Sequence, residues 1–248
     1  MIDIHSHILP GLDDGPGCME DALEMLRLAA QHGTTEIVAT PHADTRFRFE
    51  PVEVERRLME LRVASGADLR IHYGCEMHFT PENIECALRT PARYTIGHKG
   101  YLLVEFSNLL VPKSSAQILA RLMAAGMRPI VAHPERNPIL RQRMRELENW
   151  VTDGCLLQVT AQSLVGQFGR SAEEAGLDMV AGGLAHCVAT DAHDVKRRAP
   201  VLDDACRLVE DMAGTETACR LFETNPRAIL QGGPIVTGTK KKTWYAIW

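Results

Sequence analysis

Apolar and polar positions follow two rhythms along this chain. Seven short runs rich in apolar and β-branched residues read as strands: Ile2 to His5, Glu36 to Thr40, Leu69 to Tyr73, Tyr101 to Glu105, Pro129 to Ala132, Leu156 to Thr160 and Cys187 to Thr190. Longer stretches of helical period lie between them. In Met19 to His32, for example, Leu23, Leu26 and Ala30 recur every three to four residues and the pattern stops at Gly33. Gly66, Gly126 and Gly154 mark similar stops before later strands. Such alternation predicts βαβ units and a mainly parallel sheet. Seven strands are one short of the usual barrel, so the expected fold is α/β, an irregular seven-stranded (β/α)7 barrel that is TIM-barrel-like, with an open doubly wound sheet as the alternative. No linker or internal repeat divides the chain. One domain is expected over 1–235, followed at 236–248 by a basic aromatic tail expected to be flexible.

Composition narrows the choice of chemistry. The 248 residues are 45% hydrophobic and 24% charged, enough to bury a full core. A net charge of -5 with arginines and glutamates interleaved leaves no basic stripe, so nucleic acid is not an expected partner. Seven cysteines without C-x-x-C spacing indicate neither a disulfide framework nor a thiolate zinc site, which suits a reducing compartment. No basic-then-apolar leader opens the chain, and no apolar run approaches the ~18 residues of a membrane span. A cytoplasmic protein without a transmembrane segment is expected.

The polar residues that can ligate metals fall at the carboxyl ends of the predicted strands. The first strand ends in His5-Ser6-His7, with Asp13-Asp14 in the loop beyond, and the second in His42. The third runs into Glu76 and the fourth ends at Glu105, which closes an apolar run and would be buried there without a cation. The fifth ends in His133-Pro134-Glu135-Arg136, and the seventh in Asp191-Ala192-His193. In parallel barrels the loops at this end converge on one mouth. Any single element has a plainer explanation: an H-x-H arises by chance in a chain with ten histidines, and Asp14 or Asp191 alone reads as a helix cap. Recurrence at one end of nearly every strand points instead to a site for two or three ions. Imidazole and carboxylate donors suit Mn, Fe, Zn or Co.

Arg136 and Arg198, near these ligands, match an anionic substrate because a guanidinium presents paired donors to phosphate oxygens; Lys196 and Arg197 lie beside them. No cysteine precedes an arginine by six residues, and neither a Walker-type loop nor G-x-S-x-G is present. The expected nucleophile is therefore a hydroxide on the metal. His32, at a helix end, His72, alternating away from Ile71 and Tyr73, His98, in a turn, and His186, at the far end of its strand, are read as structural. His78 is read as either structural or pocket-lining.

These residues resemble the polymerase and histidinol phosphatase (PHP) superfamily, and within it the bacterial manganese-dependent protein-tyrosine phosphatases of capsule and exopolysaccharide operons. The resemblance runs from Met1 to about Leu230 and includes Ala39-Thr-Pro-His42, Gly74-Cys-Glu76, Ala132-His-Pro-Glu-Arg-Asn137, Ser163-Leu-Val-Gly-Gln-Phe-Gly169 and Thr190-Asp-Ala-His-Asp-Val-Lys196. It implies a PHP-type (β/α)7 barrel whose metal ligands are His5, His7, Asp14, His42, Glu76, Glu105, His133, Asp191 and His193. It further implies Mn2+ as the cofactor, with Arg136 and Arg198 holding the phosphate. The implied substrate is the set of clustered C-terminal tyrosines of a membrane-associated kinase, which would draw the protein to the inner face of the membrane. Asp194 and Thr190 depart from the pattern, which usually carries Asn and Ser there; an extra carboxylate beside His193 is expected to alter metal preference or weaken phosphate binding. The alternatives are a small-molecule phosphatase of histidinol-phosphate type and a non-catalytic metal-binding interaction module. Amide hydrolysis would leave the two arginines without a purpose.

Overall fold

The computed structural model describes residues 1–66 and 69–238, so the tail lies outside the described residues from 239 on. In chain order the strands and helices are β1 (Ile2–Ser6), α1 (Met19–Gln31), β2 (Glu36–Ala39), β3 (His42–Ala43), α2 (Pro51–Ser65), β4 (Arg70–Tyr73), β5 (Glu76–His78) and α3 (Pro81–Arg89). There follow β6 (Tyr101–Glu105), α4 (Ser115–Ala124), β7 (Arg128–Ala132), α5 (Met144–Thr152), β8 (Leu156–Thr160), α6 (Ala161–Leu164) and α7 (Arg170–Ala181). The chain continues with β9 (Cys187–Ala189), α8 (Asp203–Ala213), α9 (Thr215–Cys219) and α10 (Asn225–Gln231). All sheet pairs are parallel, in a three-stranded sheet β1-β2-β4 and a six-stranded sheet β3-β5-β6-β7-β8-β9.

Each predicted run forms a strand, and two of them continue past their expected ends, after a break, in a further short strand. The second breaks between β2 and β3 at Thr40-Pro41, where proline has no N–H for the ladder and its carbonyl instead accepts from Glu76 N at 3.1 Å. The third breaks between β4 and β5 at Gly74-Cys75. A Cβ on Gly74 would lie 2.7 Å from Val38 Cγ1 and 2.9 Å from Thr40 Cγ2, so only glycine lets the neighbouring strand pass. Across the far seam, Asp191 N–H donates to His5 O and His7 N–H to Ala192 O, both at 2.8 Å, and a bridge pairs Ser6 with Ala192.

Strand alternation sorts the core into layers. Ile2, Ile4, Val38, Tyr101, Leu103, Ile130, Leu156 and Cys187 pack together with Ile229 of α10. The opposite parity packs under the helices: Leu102, Val104, Val131, Leu157 and Val188 share a cluster with Leu119, Trp150 and Met179, while Ile37, Ile71 and Tyr73 share one with Met25 and Leu58. Helix α1 is rotated from its expected face. It buries Ala22, Met25, Leu26 and Ala29, whereas Ala30 is exposed, and Met25 joins Ile37 and Ala39 of β2 in one apolar cluster. At the amino ends of the strands, Glu36 accepts from Arg70 at 2.8 Å, Arg227 at 3.0 Å and His72 at 2.9 Å, an ionic floor beneath the apolar layer. Residue 236 is tied to α10, since Asn225 exchanges two 2.9 Å hydrogen bonds with the Val236 backbone. Among the described residues, no helix is long and apolar enough to cross a membrane.

Candidate metal centre

Local backbone irregularities aim the polar side chains at one place. Pairing of β1 with β2 shifts register between Asp3 and Ser6, so the regular alternation of the strand is broken at the stretch that carries His5. His133 and Asp191 have φ of 32° and 53°, turning both residues out of their strands. Positive φ is uncommon outside glycine and persists where surrounding contacts impose it.

The result is one contiguous cluster. His5 Nε2 lies 3.2 Å from both Glu76 Oε1 and Asp191 Oδ1. His7 Nε2 lies 3.3 Å from Glu76 Oε2, 3.3 Å from Asp191 Oδ1 and 3.4 Å from His5 Nε2. Asp14 Oδ1 is 3.3 Å from His42 Nε2 and 3.2 Å from His193 Nε2. His42 Nδ1 and His133 Nε2 reach Glu76 at 2.9 and 3.0 Å, and His133 is 3.9 Å from Glu105. Three subsets have ligand atoms close enough to share an ion: His7, Asp14, His42 and His193; His5, His7, Glu76 and Asp191; and His42, Glu76 and Glu105. These subsets take in eight of the nine residues read from the sequence as ligands, and the ninth, His133, joins the cluster through its 3.0 Å contact with Glu76. Glu105 corrects its expected burial: its side chain is 23% exposed and pairs with His78 at 3.2 Å, which puts His78 beside the cluster.

The cluster's own chemistry fits divalent cations. The Nδ1–H of His5 donates to Gln158 Oε1 at 2.9 Å, that of His7 to Asp13 Oδ2 at 2.7 Å, and that of His193 to Asp191 O at 3.0 Å. Each partner leaves the Nε2 lone pair free toward the centre, the arrangement that orients metal-ligating imidazoles. His42 Nδ1, Glu76 Oε2, Asp191 Oδ1 and His193 Nε2 are buried without hydrogen bonds; the 2.9 Å approach of His42 to Glu76 is out of line for one. Burial alone would raise the pKa of Glu76 and Asp191. His5 and His42 hold Glu76 well below the usual carboxylate range, and His5, His7, Arg136 and Arg198 do the same for Asp191. Buried anions of this kind call for cations.

Arg136 and Arg198 both donate to Asp191 Oδ2, the latter at 2.5 Å. They come from different loops, and the Arg136 guanidinium also sits 4.2 Å over the Phe168 ring. Beneath them, Glu135 Oε1 accepts from Thr160 N at 3.0 Å and Ser163 Oγ at 2.7 Å, anchoring the start of the segment that carries Phe168. Lys196 and Arg197 line a cleft of about 390 Å³ with Asp14 and His193. Asp194 lines the same cleft, and its Oδ1 accepts the backbone N–H groups of Lys196 and Arg197, each at 2.6 Å, a turn role that asparagine would also fill.

Of the histidines set aside, His32 pairs with Asp203 at 2.9 Å and His98 lies in a turn with φ 60°. His186 is buried at the opposite end of its strand from Asp191. Burial and then Arg220 push its pKa down to about 4. The sequence reading missed Asp13 and Gln158 as supports of the imidazoles, and Phe168 against Arg136.

Parallel strands that gather imidazoles and carboxylates at their carboxyl ends define a class of α/β proteins with a metal-competent centre. Residues 1–231 match the family model described as capsular polysaccharide synthesis, CpsB/CapC, and the chain belongs to that family. It is 35% identical over 235 residues to the tyrosine-protein phosphatase YwqE of Bacillus subtilis (strain 168), covering 90% of this chain and 89% of that protein. A crystal structure described as one of YwqE from Bacillus subtilis and CpsB from Streptococcus pneumoniae, unique metal-dependent tyrosine phosphatases, superposes with a TM-score of 0.90 at 33% identity, covering 97% of this chain and 98% of that one. The lactonase Lmo2620 from Listeria monocytogenes shares the fold alone, with a TM-score of 0.63 at 13% identity, over 92% of this chain and 94% of that one.

Proposed function

We propose that this protein is a metal-dependent phosphomonoesterase that hydrolyses phosphotyrosine on proteins, its substrate being the membrane-associated tyrosine kinase that controls capsule or exopolysaccharide synthesis. One observation carries the reading: Arg136 and Arg198 converge on Asp191, placing two guanidiniums beside a buried imidazole and carboxylate cluster. A phosphoryl group requires both halves of such a site, and the names of the family relatives agree with it.

In this reading His5, His7, Asp14, His42, Glu76, Glu105, His133, Asp191 and His193 hold two or three divalent ions. Manganese is the first choice, and iron, zinc and cobalt are compatible with the same donors. Bound ions supply Lewis acidity and lower the pKa of water. The chain's own part is to position and to offset charge. Asp13 and Gln158 keep His7 and His5 in the tautomer that presents Nε2. Arg136 and Arg198 offer donors to the phosphoryl oxygens, where charge grows during in-line displacement. A phenolate leaves without a strong acid, so no general acid is required of a particular side chain.

The split strands support a seven-stave barrel as the frame: β2 with β3 and β4 with β5 each count as one stave, and the Asp191 to His5 hydrogen bond joins the last stave to the first. Residues 1–235 then form one catalytic domain. The kinase substrate would place the protein in the cytoplasm, recruited to the inner face of the membrane.

Phosphate release from a phosphotyrosine peptide by metal-stripped protein, with and without manganese, tests the proposal. Release should depend on the metal, and Arg136→Ala should lower kcat/KM by about 100-fold or more, the usual cost of one preorganised donor. Preference for histidinol phosphate would transfer the assignment to a small-molecule phosphatase. Absence of turnover with any divalent ion would leave a binding role.

A further inference from the structure

The sequence reading assigned no role to the segment between β3 and α2, yet it forms one wall of a groove of about 580 Å³ next to the metal centre. We propose that this groove binds an acidic stretch of the protein substrate beside its phosphotyrosine; the inference rests on the tyrosine-phosphatase reading. Its walls carry Arg46 and Arg48 on one side, and Arg89 and Arg93, from the end of α3 and the turn after it, on the other. The side chains of Arg46, Arg48 and Arg89 are 67, 89 and 75% exposed; each pairs at the surface with a carboxylate, Asp44 at 3.7 Å, Glu50 at 2.5 Å and Glu85 at 3.2 Å, that a ligand's acidic groups would compete with.

Charge and continuity with the centre both favour this occupant. Four guanidiniums face two carboxylates among the lining residues. One of these, Asp44, accepts the N–H groups of Arg46 and Phe47 at 2.7 Å, and the other, Glu50, pairs with Arg48 at 2.5 Å. Glu85, outside the lining, pairs with Arg89 at 3.2 Å, and the four guanidiniums still outnumber the three carboxylates in a chain whose net charge is -5. Local concentration of one sign in a concave surface steers oppositely charged ligands. The groove also adjoins the centre through packed rings: Arg46 lies 5.0 Å over Phe47, whose ring stacks on that of the candidate ligand His42 at 6.0 Å. Its floor is rigid, because Asn83 Nδ2 donates to Ala43 O at 2.6 Å and to His78 O at 3.0 Å, and Phe49 packs on Tyr94 at 5.3 Å. A phosphotyrosine at the centre thus places its neighbouring residues over the arginines.

The test compares phosphotyrosine peptides flanked by glutamates, by neutral residues or by lysines, and one with a second phosphotyrosine, using the manganese-loaded full chain and its Arg46→Ser/Arg89→Ser/Arg93→Ser variant. For the native protein, kcat/KM should favour the glutamate over the lysine peptide by about tenfold at low salt, mainly through KM, and the gap should close in high salt. In the variant it should shrink to about twofold, with turnover of a small aryl phosphate unchanged. Preference for the doubly phosphorylated peptide over the neutral one, lost in the variant, would support the groove too, because a second phosphoryl group brings the same negative charge to it. Equal rates on all peptides with normal aryl phosphate turnover would overturn the groove assignment, as would loss in the variant only of binding to anionic lipid vesicles. Failure of the native protein on the aryl phosphate would instead overturn the tyrosine-phosphatase reading.

Discussion

Asp13 shows how much of the candidate metal site is held by residues outside the candidate ligand set. Its Oδ2 accepts from His7 Nδ1 at 2.7 Å and from the His42 backbone N–H at 3.1 Å, while its Oδ1 accepts from Gly15 N at 3.0 Å. One carboxylate therefore fixes the orientation of one candidate ligand, the backbone of another and the loop that carries a third, Asp14. Asp13→Ala is expected to weaken divalent-ion binding by about 10- to 100-fold, the usual effect of losing an outer partner. Calorimetric titration of the stripped variant with manganese measures this; native affinity in a folded Asp13→Ala protein would refute it. Eight of the nine candidate ligands were legible because each closes or closely follows an apolar run at the same end of a strand, while Asp14 stood out only as a carboxylate in the loop after the first of them. Asp13 was not, since it adjoins Asp14 in a loop whose path no periodicity describes. Gln158 was hidden for another reason: a carboxamide inside a strand has no signature until its partner, His5, is seen across the fold.

Elements were more legible than their interruptions. All seven predicted strand runs occur, because apolar β-branched residues between helical patterns leave few other solutions. The breaks at Pro41 and Gly74 depend on what lies across the sheet, which one strand's pattern does not contain. The phase of α1 was misjudged likewise: Leu23 and Ala30 fit a helical period, but contact with β2 selects the face bearing Ala22, Met25 and Ala29. Gly74 tests the structural account of its break. Even a methyl group there meets Val38 and Thr40 at under 3.0 Å, and both are β-branched side chains with little freedom to move. Gly74→Ala should cost about 1–3 kcal/mol by overpacking. In a chain of this size that lowers Tm by about 2–10 °C. Because Glu76 follows two residues later, metal affinity should fall as well. Gly17→Ala is the control, since a Cβ there meets nothing within 4 Å. Equal melting of the two variants in calorimetry would show that the break has another cause.

At the scale of the whole molecule the metal centre coincides with a seam. His5, His7 and Asp14 come from the first turns of the chain and Asp191 and His193 from its last third, and the two stretches meet through one bridge and a pair of 2.8 Å backbone hydrogen bonds. His42 and Glu76 stand on β3 and β5 of the second sheet, facing β1 of the first. Ions held by these residues would clasp the two sheets at this seam, which the buried Asp3 carboxylate also crosses by accepting from Thr190 N at 3.1 Å and Thr190 Oγ1 at 2.5 Å, and would offset the buried charge of Glu76 and Asp191. An ion that binds only the folded state stabilises it by about 2.7 kcal/mol at a hundredfold excess over Kd. For a domain of this length that corresponds to a rise in Tm of about 5–10 °C. Chelation should reverse the rise and, before global unfolding, speed hydrogen exchange at the His7, Asp191 and Ala192 amides more than at Leu103 or Val131 in the centre of the second sheet. Glu76→Gln should flatten the dependence of Tm on manganese concentration. If Tm does not change with metal, or if exchange quickens equally in all strands, the ions do not act as the clasp, and the backbone bonds between Asp191 and His5 and between His7 and Ala192 suffice to join the sheets.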